Sequence, residues 1–163
     1  MNALAQKLGT RLKARGAMLV SAESCTGGWA AQAVTAIAGS SEWFERGFVT
    51  YSNAAKQEML GVRAETLEKH GAVSEDTARE MAAGALRHSR GSVAIAITGI
   101  AGPAGGTAAK PVGTVCFAWA GKDLPASTET RRFAGDRDAV RRQSVEHALA
   151  RLLELLDGAG SGP

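Results

Sequence analysis

A serine at the start of a glycine-rich turn is the strongest candidate for chemistry in this sequence. Residues 23–28, with the sequence ESCTGG, stand between an apolar run at residues 17–22 and a helix-like stretch that begins at Trp29. The first backbone N–H groups of a helix have no partner within the helix, so such a turn can stabilise an oxyanion or hold a phosphate. Ser24 is therefore a candidate nucleophile, and the candidate ligands beside it are Cys25, Thr26 and Gly27. The alternative is that Ser24 or Thr26 only caps the helix.

A lysine beyond a second strand could remove the serine proton. Lys56 lies on a short predicted helix directly after the strand-like residues 44–51. Lysine can act as a base when burial lowers its pKa towards neutrality, because desolvation penalises the charged form. No His-Asp pair stands out as a triad partner for a serine. Lys56 is thus the candidate base, and the alternative is an ordinary surface lysine beside Glu58.

Three polar segments follow strands and are predicted to converge. Tyr51 and Asn53 follow the second strand, and Thr98 ends the continuous apolar run that begins at residue 93. In open α/β sheets, ligands collect beyond the carboxyl ends of the strands, where Ser24 also lies. Tyr51 and Thr98 are therefore candidates to orient Lys56 or to relay protons. The alternatives are a strand-end aromatic and a β-branched strand residue.

A second glycine-rich loop, residues 99–106, follows Thr98. It lacks the lysine and hydroxyl ending of a Walker loop and the spacing of a dinucleotide fingerprint, but glycines let a backbone approach a ligand closely. Gly99 and Gly102 are its candidate binding positions.

Three arginines stand at the start of the last predicted helix. Arg137, Arg141 and Arg142 follow Gly135-Asp136, where basic side chains oppose the helix dipole. This placement suggests an anionic ligand, and Arg137 and Arg141, assisted by Asn53, are the candidate phosphate or ribose contacts. The alternative is solvated charge paired with neighbouring acidic residues.

The composition favours one domain that binds a small anion. The chain has 163 residues, of which 45% are hydrophobic, enough for one core and too few for two ordinary domains. Its net charge of +3 arises from 19 basic and 16 acidic residues that are interspersed, and 5% aromatic residues offer few platforms for stacking bases. We predict a single domain over residues 1–157, a disordered tail over residues 158–163, and no nucleic-acid partner.

The two cysteines indicate a reducing compartment. Cys25 and Cys116 are isolated, without a CxxC pair or a Cys/His cluster, so neither a disulfide framework nor a zinc site is expected. The sequence has no export signal and no apolar run near the length of a membrane span. We predict a cytoplasmic protein without a metal, a cofactor or a membrane partner.

The hydrophobic pattern predicts an α/β domain. It indicates helices over residues 4–15, 29–38, 74–88 and 136–156, a short helix from the Ser52-Asn53 cap to Leu60, and strands over residues 18–22, 44–51, 93–98, 112–120 and 127–133. The last two strands are joined by a connection short enough for an antiparallel pair. The expected fold is a three-layer α/β/α sandwich with a mixed five-stranded sheet.

Seven ordered motifs between Leu4 and Leu156 closely resemble the C-terminal domain of the CinA competence/damage-inducible protein family. The motifs are AESCTGG at residues 22–28, GFVTYSN at 47–53 with Lys56, GAVS at 71–74, TGIAGP at 98–103, the glycine pair 105–106, KPVGT at 110–114 and GDR at 135–137. The resemblance implies hydrolysis of the carboxamide of nicotinamide mononucleotide to nicotinate mononucleotide and ammonia, in pyridine-nucleotide salvage. It also implies a fold like that of anticodon-binding domains and a tendency to form homo-oligomers. Matched by position, the family's serine, lysine, tyrosine, threonine and arginine fall on Ser24, Lys56, Tyr51, Thr98 and Arg137.

Two departures from the family pattern affect these expectations. We expect the protein to lack the large N-terminal domain of longer members, which is linked to nucleotide pyrophosphatase activity, and to lack that activity. Ala104 stands where relatives often have a polar residue. Two other functions stay open. One is a nucleotide-binding regulatory module without turnover. The other is a phosphate-hydrolysing enzyme, which is disfavoured because the sequence shows no carboxylate cluster suited to a divalent metal.

Overall fold

Five strands form one mixed sheet in the computed structural model, which describes residues 1–160. In chain order they are β1 Leu19–Glu23, β2 Phe44–Val49, β3 Val93–Gly99, β4 Thr114–Gly121 and β5 Leu124–Arg132. The spatial order is β2-β1-β3-β4-β5. Strands β2 and β3 run parallel to β1, whereas β4 and β5 continue the sheet in antiparallel pairs.

The parallel pairing brings the carboxyl ends of β1, β2 and β3 to one edge of the sheet. Backbone hydrogen bonds extend beyond the strand ends: Ser24 N–H donates to Ile97 O at 2.9 Å, and Thr50 N–H donates to Glu23 O at 2.9 Å. The three segments that follow these strands therefore lie side by side.

Six α-helices within residues 1–160 cover the two faces of the sheet. They are α1 Asn2–Ala14, α2 Trp29–Thr35, α3 Asn53–Leu60, α4 Ala64–His70, α5 Glu75–Arg87 and α6 Arg137–Ala159. Helices α1, α2 and α6 pack on one face around large side chains such as Leu19, Ile95 and Phe117. Helices α3, α4 and α5 pack on the other face, where Ala94, Ala96 and other small residues predominate.

Close packing between α5 and α3 fixes the helix that carries Lys56. Gly84 on α5 lies so near the Leu60 carbonyl that a Cβ atom would overlap it. Leu60 itself is fully buried, and Gly61 ends α3 with a φ of 68°. Gly84 therefore lets α3 pack closely against α5.

The predicted fold class is confirmed, with local differences. Helix α4 was not predicted, because it has only seven residues and only two of them, Thr66 and Leu67, are buried, too few to form a helical hydrophobic pattern. The connection between the last two strands has only two residues, Lys122 and Asp123, since β5 begins at Leu124 and accommodates a proline as an edge strand can. Strand β2 ends two residues before the predicted Tyr51, and α2 three residues before the predicted end.

The end of the chain also differs from the prediction. Helix α6 continues to Ala159, so the first two residues of the predicted tail are helical. Gly160 is the C-cap of α6, and the other residues of the predicted disordered tail, 161–163, lie outside the described residues. Among residues 1–160, no helix combines the length and the apolar character that crossing a membrane requires.

Candidate active site

Ser24 and Lys56 are in direct contact. The Lys56 Nζ atom lies 2.8 Å from the Ser24 Oγ atom, and it also donates to the carbonyl oxygens of Thr50 at 2.7 Å and Tyr51 at 3.1 Å. The lysine is 1% exposed and the serine 8% exposed. The sequence-predicted nucleophile and base are therefore brought together in a nearly closed environment.

Burial changes the acid–base character of this lysine. Desolvation lowers the pKa of Lys56 from 10.5 to about 8, and within the described chain no carboxylate forms an ion pair with it. At pH 7 about a tenth of the molecules therefore hold a neutral amine. In that form the amine donates its two N–H groups to the two carbonyls and accepts the Ser24 O–H through its lone pair. The arrangement places an amine that can accept a proton against the Ser24 hydroxyl.

The start of helix α3, just after strand β2, places the Lys56 side chain against the end of that strand. The Ser52 side chain caps the helix by accepting a hydrogen bond from Ala55 N–H at 3.0 Å. Lys56 is one turn further along, so its side chain returns to the carbonyls of residues 50 and 51 just before the helix. The backbone of Tyr51, and not its ring, therefore orients Lys56.

A buried carboxylate organises the turn that carries Ser24. Glu23 is fully buried and accepts hydrogen bonds from Thr26 Oγ1 at 2.7 Å, Ala30 N–H at 2.8 Å and Ala31 N–H at 3.1 Å. The free helix amides that were expected to bind an anion are thus taken by Glu23. Sequence reasoning gave Glu23 no role, although an acidic residue just before a helix is a recognisable signal for such a cap.

Two backbone amides remain available beside the nucleophile. Gly27 N–H closes the turn by donating to Ser24 O at 3.1 Å. Among residues 1–160, the N–H groups of Cys25 and Thr26 donate to no other residue, which leaves them as candidate oxyanion donors. The neighbouring thiol is not a competing nucleophile, because burial raises the pKa of Cys25 to about 12.

A cleft of about 270 Å³ opens above the Ser24–Lys56 pair. Its lining includes Ser24, Cys25, Tyr51, Lys56, Thr98, Gly99, Gly102 and Arg137. The Thr98 hydroxyl donates to Ala72 O at 2.8 Å and so ties the 72–73 segment to the sheet. A Cβ atom on Gly99 would lie 2.7 Å from Val115 Cγ2, so this position has room only for glycine.

Arg137 and Tyr51 meet at the mouth of the cleft. The Arg137 guanidinium donates to Gly102 O at 2.8 Å and to the Tyr51 hydroxyl at 3.3 Å. The tyrosine is 63% exposed. Arg137 therefore sits where it can reach a ligand that enters the cleft, and further N–H groups of its guanidinium are available for that ligand.

Four predicted ligand residues, namely Thr26, Gly27, Asn53 and Arg141, place no side chain in the cleft. Thr26 is fully buried with its hydroxyl on Glu23, and Gly27 uses its amide to close the turn. Asn53 is exposed at the start of α3. Arg141 donates through Nε to Cys25 O at 3.0 Å and through Nη2 to Thr26 O at 3.2 Å, so it contacts the turn and not the cleft.

Comparison with known proteins agrees with this architecture. Residues 1–156 match the CinA C-terminal domain family. The nicotinamide-nucleotide amidohydrolase PncC of Escherichia coli (strain K12) is 59% identical over 149 residues, covering 91% of this chain and 90% of that protein. The protein of the same name from Pseudomonas putida is 50% identical over 152 residues, covering 93% and 94%.

A solved structure shows the same fold. The crystal structure of the competence/damage inducible protein CihA from Agrobacterium tumefaciens superposes with a TM-score of 0.92 at 48% identity, covering 94% of each chain. The family match over residues 1–156 includes the strands, the turn and the helices that build the cleft. The chain therefore belongs to the CinA C-terminal domain family.

Proposed function

We propose that this protein is a nicotinamide-nucleotide amidohydrolase in which Ser24 attacks the carboxamide carbon and Lys56 is the base. The observation that carries the proposal is the 2.8 Å contact between a buried, pKa-lowered lysine and a serine at the floor of a cleft. The two PncC relatives, matched over nine-tenths of their length, support the choice of substrate.

The acylation half-reaction begins with neutral Lys56. Its lone pair accepts the Ser24 proton as Oγ forms a bond to the carboxamide carbon, and the carbonyl π electrons move to the oxygen. The N–H groups of Cys25 and Thr26 stabilise this oxyanion. The C–N bond then breaks, Lys56 returns its proton to the departing nitrogen as ammonia, and an ester joins nicotinate mononucleotide to Ser24.

Hydrolysis of this ester reverses the roles. Lys56, neutral again, accepts a proton from a water molecule whose oxygen bonds to the ester carbon. The second tetrahedral intermediate collapses, and Ser24 leaves with the proton that Lys56 returns. Thr98 lies in the cleft with its O–H directed to Ala72 O, so its lone pairs can accept an N–H of the carboxamide and orient the group. No step of this route uses a metal.

The function is tested by incubating the purified protein with nicotinamide mononucleotide and measuring ammonia and nicotinate mononucleotide. We expect the two products in equal amounts, at a rate that a chelator does not change. A protein that binds the nucleotide without releasing ammonia would be the regulatory module and would contradict the proposal. Activity that a chelator abolishes would contradict the metal-free route.

Replacing Arg137 with alanine is expected to raise KM for the mononucleotide by about 10-fold to 100-fold, with a smaller effect on kcat. A guanidinium can bind phosphate through charge-assisted hydrogen bonds, and the expected factor corresponds to the loss of one such bond, worth about 1.5–3 kcal/mol. Nicotinamide riboside lacks the phosphate, so its hydrolysis should change little. Equal losses on the nucleotide and the nucleoside would argue against phosphate binding by Arg137.

A further inference from the structure

We infer that Arg141 is a positioning residue that fixes the peptide between Cys25 and Thr26, so that the Thr26 N–H is oriented to stabilise the oxyanion. This inference rests on the proposed amidohydrolase function. The observation that supports it is a pair of hydrogen bonds from Arg141, from Nε to Cys25 O at 3.0 Å and from Nη2 to Thr26 O at 3.2 Å.

The planarity of the peptide group connects these carbonyls to the amides. In a trans peptide the N–H points opposite to the C=O of the same unit, so a held carbonyl also sets the direction of its N–H. The Cys25 C=O and the Thr26 N–H belong to one such unit. Because Arg141 holds the carbonyl, the Thr26 N–H is turned away from Arg141.

The neighbouring peptides have other supports, whereas this one depends on Arg141. Ser24 O is held by Gly27 N–H at 3.1 Å, and Thr26 O also accepts a hydrogen bond from Trp29 N–H at 3.0 Å. Within the described part of the chain, Arg141 is the only donor to Cys25 O. Loss of Arg141 would therefore free one peptide of the turn without removing the other hydrogen bonds.

Arg141 is itself held in place. Its guanidinium lies 5.3 Å from the centre of the Trp29 ring, and its side chain is 29% exposed. On the opposite side of the turn, Glu23 holds the Thr26 hydroxyl. The planar fork of an arginine can serve both carbonyls at once, whereas the single ammonium of a lysine cannot reproduce that geometry.

Loss of Arg141 is expected to change the kinetics differently from loss of a residue that binds the substrate phosphate. An oxyanion donor acts on the tetrahedral state and not on the bound ground state, so its loss lowers kcat and leaves KM nearly unchanged. We expect Arg141→Lys and Arg141→Met to lower kcat by up to about 100-fold, the lower range for loss of one oxyanion donor. The same factor is expected with nicotinamide riboside. Arg142 pairs with Glu146 at 3.7 Å and does not line the cleft, so Arg142→Lys and Arg142→Met are the matched controls.

An aldehyde analogue separates positioning from general loss of structure. In pyridine-3-aldehyde mononucleotide the carboxamide is replaced by CHO, and addition of Ser24 Oγ to its carbonyl gives an oxyanion without a leaving group. Its affinity should fall in parallel with kcat in the Arg141 variants, whereas the affinity for nicotinate mononucleotide should not change. Equal losses of both affinities would mean a merely structural role and would overturn the inference.

Two further results decide between the inference and the function on which it rests. Wild-type kcat in both Arg141 variants, or a raised KM for the nucleotide alone, would overturn the inference while the proposed function stands. In the free protein, the ¹³C resonance of the Cys25 carbonyl should shift in Arg141→Met and not in Arg142→Met. If that shift occurs and the wild-type protein releases no ammonia, the proposed function fails while the contact is supported; no shift would overturn the inference.

Discussion

Ser24→Ala is expected to lower kcat/KM for ammonia release from nicotinamide mononucleotide by about 10⁴-fold or more. The variant keeps the cleft and its amides but has no atom that can form the acyl ester. Removal of a serine nucleophile in a comparable hydrolase costs on the order of 10⁶-fold in kcat. The measurement is ammonia release under single-turnover conditions, which separates chemistry from product release.

The fold should survive this change. Ser24 Oγ makes one contact with Lys56 and a long one of 3.5 Å to Tyr51 O, and neither connects core elements. Thermal unfolding of Ser24→Ala should therefore resemble that of the wild type, and binding of nicotinamide mononucleotide should persist. Ser41, which is exposed, provides the matched control as Ser41→Ala. A folded Ser24→Ala protein with near-normal activity would contradict the nucleophile assignment.

Lys56→Met is expected to lower kcat/KM by about 10³-fold, within the range of a lost general base. Methionine fills a similar volume without a titratable group, so Ser24 keeps its proton at every pH. Lys56→Arg should be comparably inactive, because a guanidinium does not give up its proton. Lys69 is exposed, and Lys69→Met is the control for loss of a charge. Undiminished activity of Lys56→Arg would be incompatible with a neutral lysine base.

The same substitution has a stability signature that does not depend on activity. The pKa of Lys56 is about 8 in the folded protein and near its ordinary 10.5 in the unfolded chain. Between these two values the unfolded state binds more protons, so the contribution of Lys56 to the free energy of unfolding rises with pH. Lys56→Met lacks this contribution. The difference in unfolding free energy between wild type and variant should therefore grow in favour of the wild type from pH 8 to pH 10.5.

Much of the site follows from strand ends that the sequence makes visible. Apolar runs ending in ESCTGG and in TGIAG predict two strands with polar turns, and Lys56 follows a third. Parallel pairing then requires these turns to meet at one edge, which is where Ser24, Lys56 and Thr98 lie. The apolar runs were sufficient to predict these strands because helices cover both faces of the sheet.

The roles of the two arginines could not be read from the sequence. Arg137 and Arg141 are one turn apart on α6, and both suit an anion by composition. Their side chains differ because Arg137 is the first residue of the helix and reaches Gly102 O, whereas Arg141 lies over Trp29 against the Ser24 turn. Such a difference of a few ångströms depends on how α6 packs, which no local pattern records.

The hydrogen bonds made by backbone groups could not be predicted from the sequence either. Tyr51 was predicted to orient Lys56 or to relay protons, and its contact with Lys56 is made by the backbone carbonyl, together with the carbonyl of Thr50. Glu23 likewise took the helix amides that were expected to face a ligand. In each case a carbonyl or a carboxylate satisfies a buried donor, as burial requires.

The pH dependence of kcat/KM tests the central claim most directly, because it reports the pKa of the essential base in the free enzyme. We expect kcat/KM for nicotinamide mononucleotide to rise by about tenfold per pH unit below the pKa of Lys56 and to level off above about pH 8. Measurements above about pH 6.5 avoid the second ionisation of the substrate phosphate. A profile that is flat from pH 6.5 to 9, or that falls over this range, would contradict a Ser24 nucleophile activated by neutral Lys56.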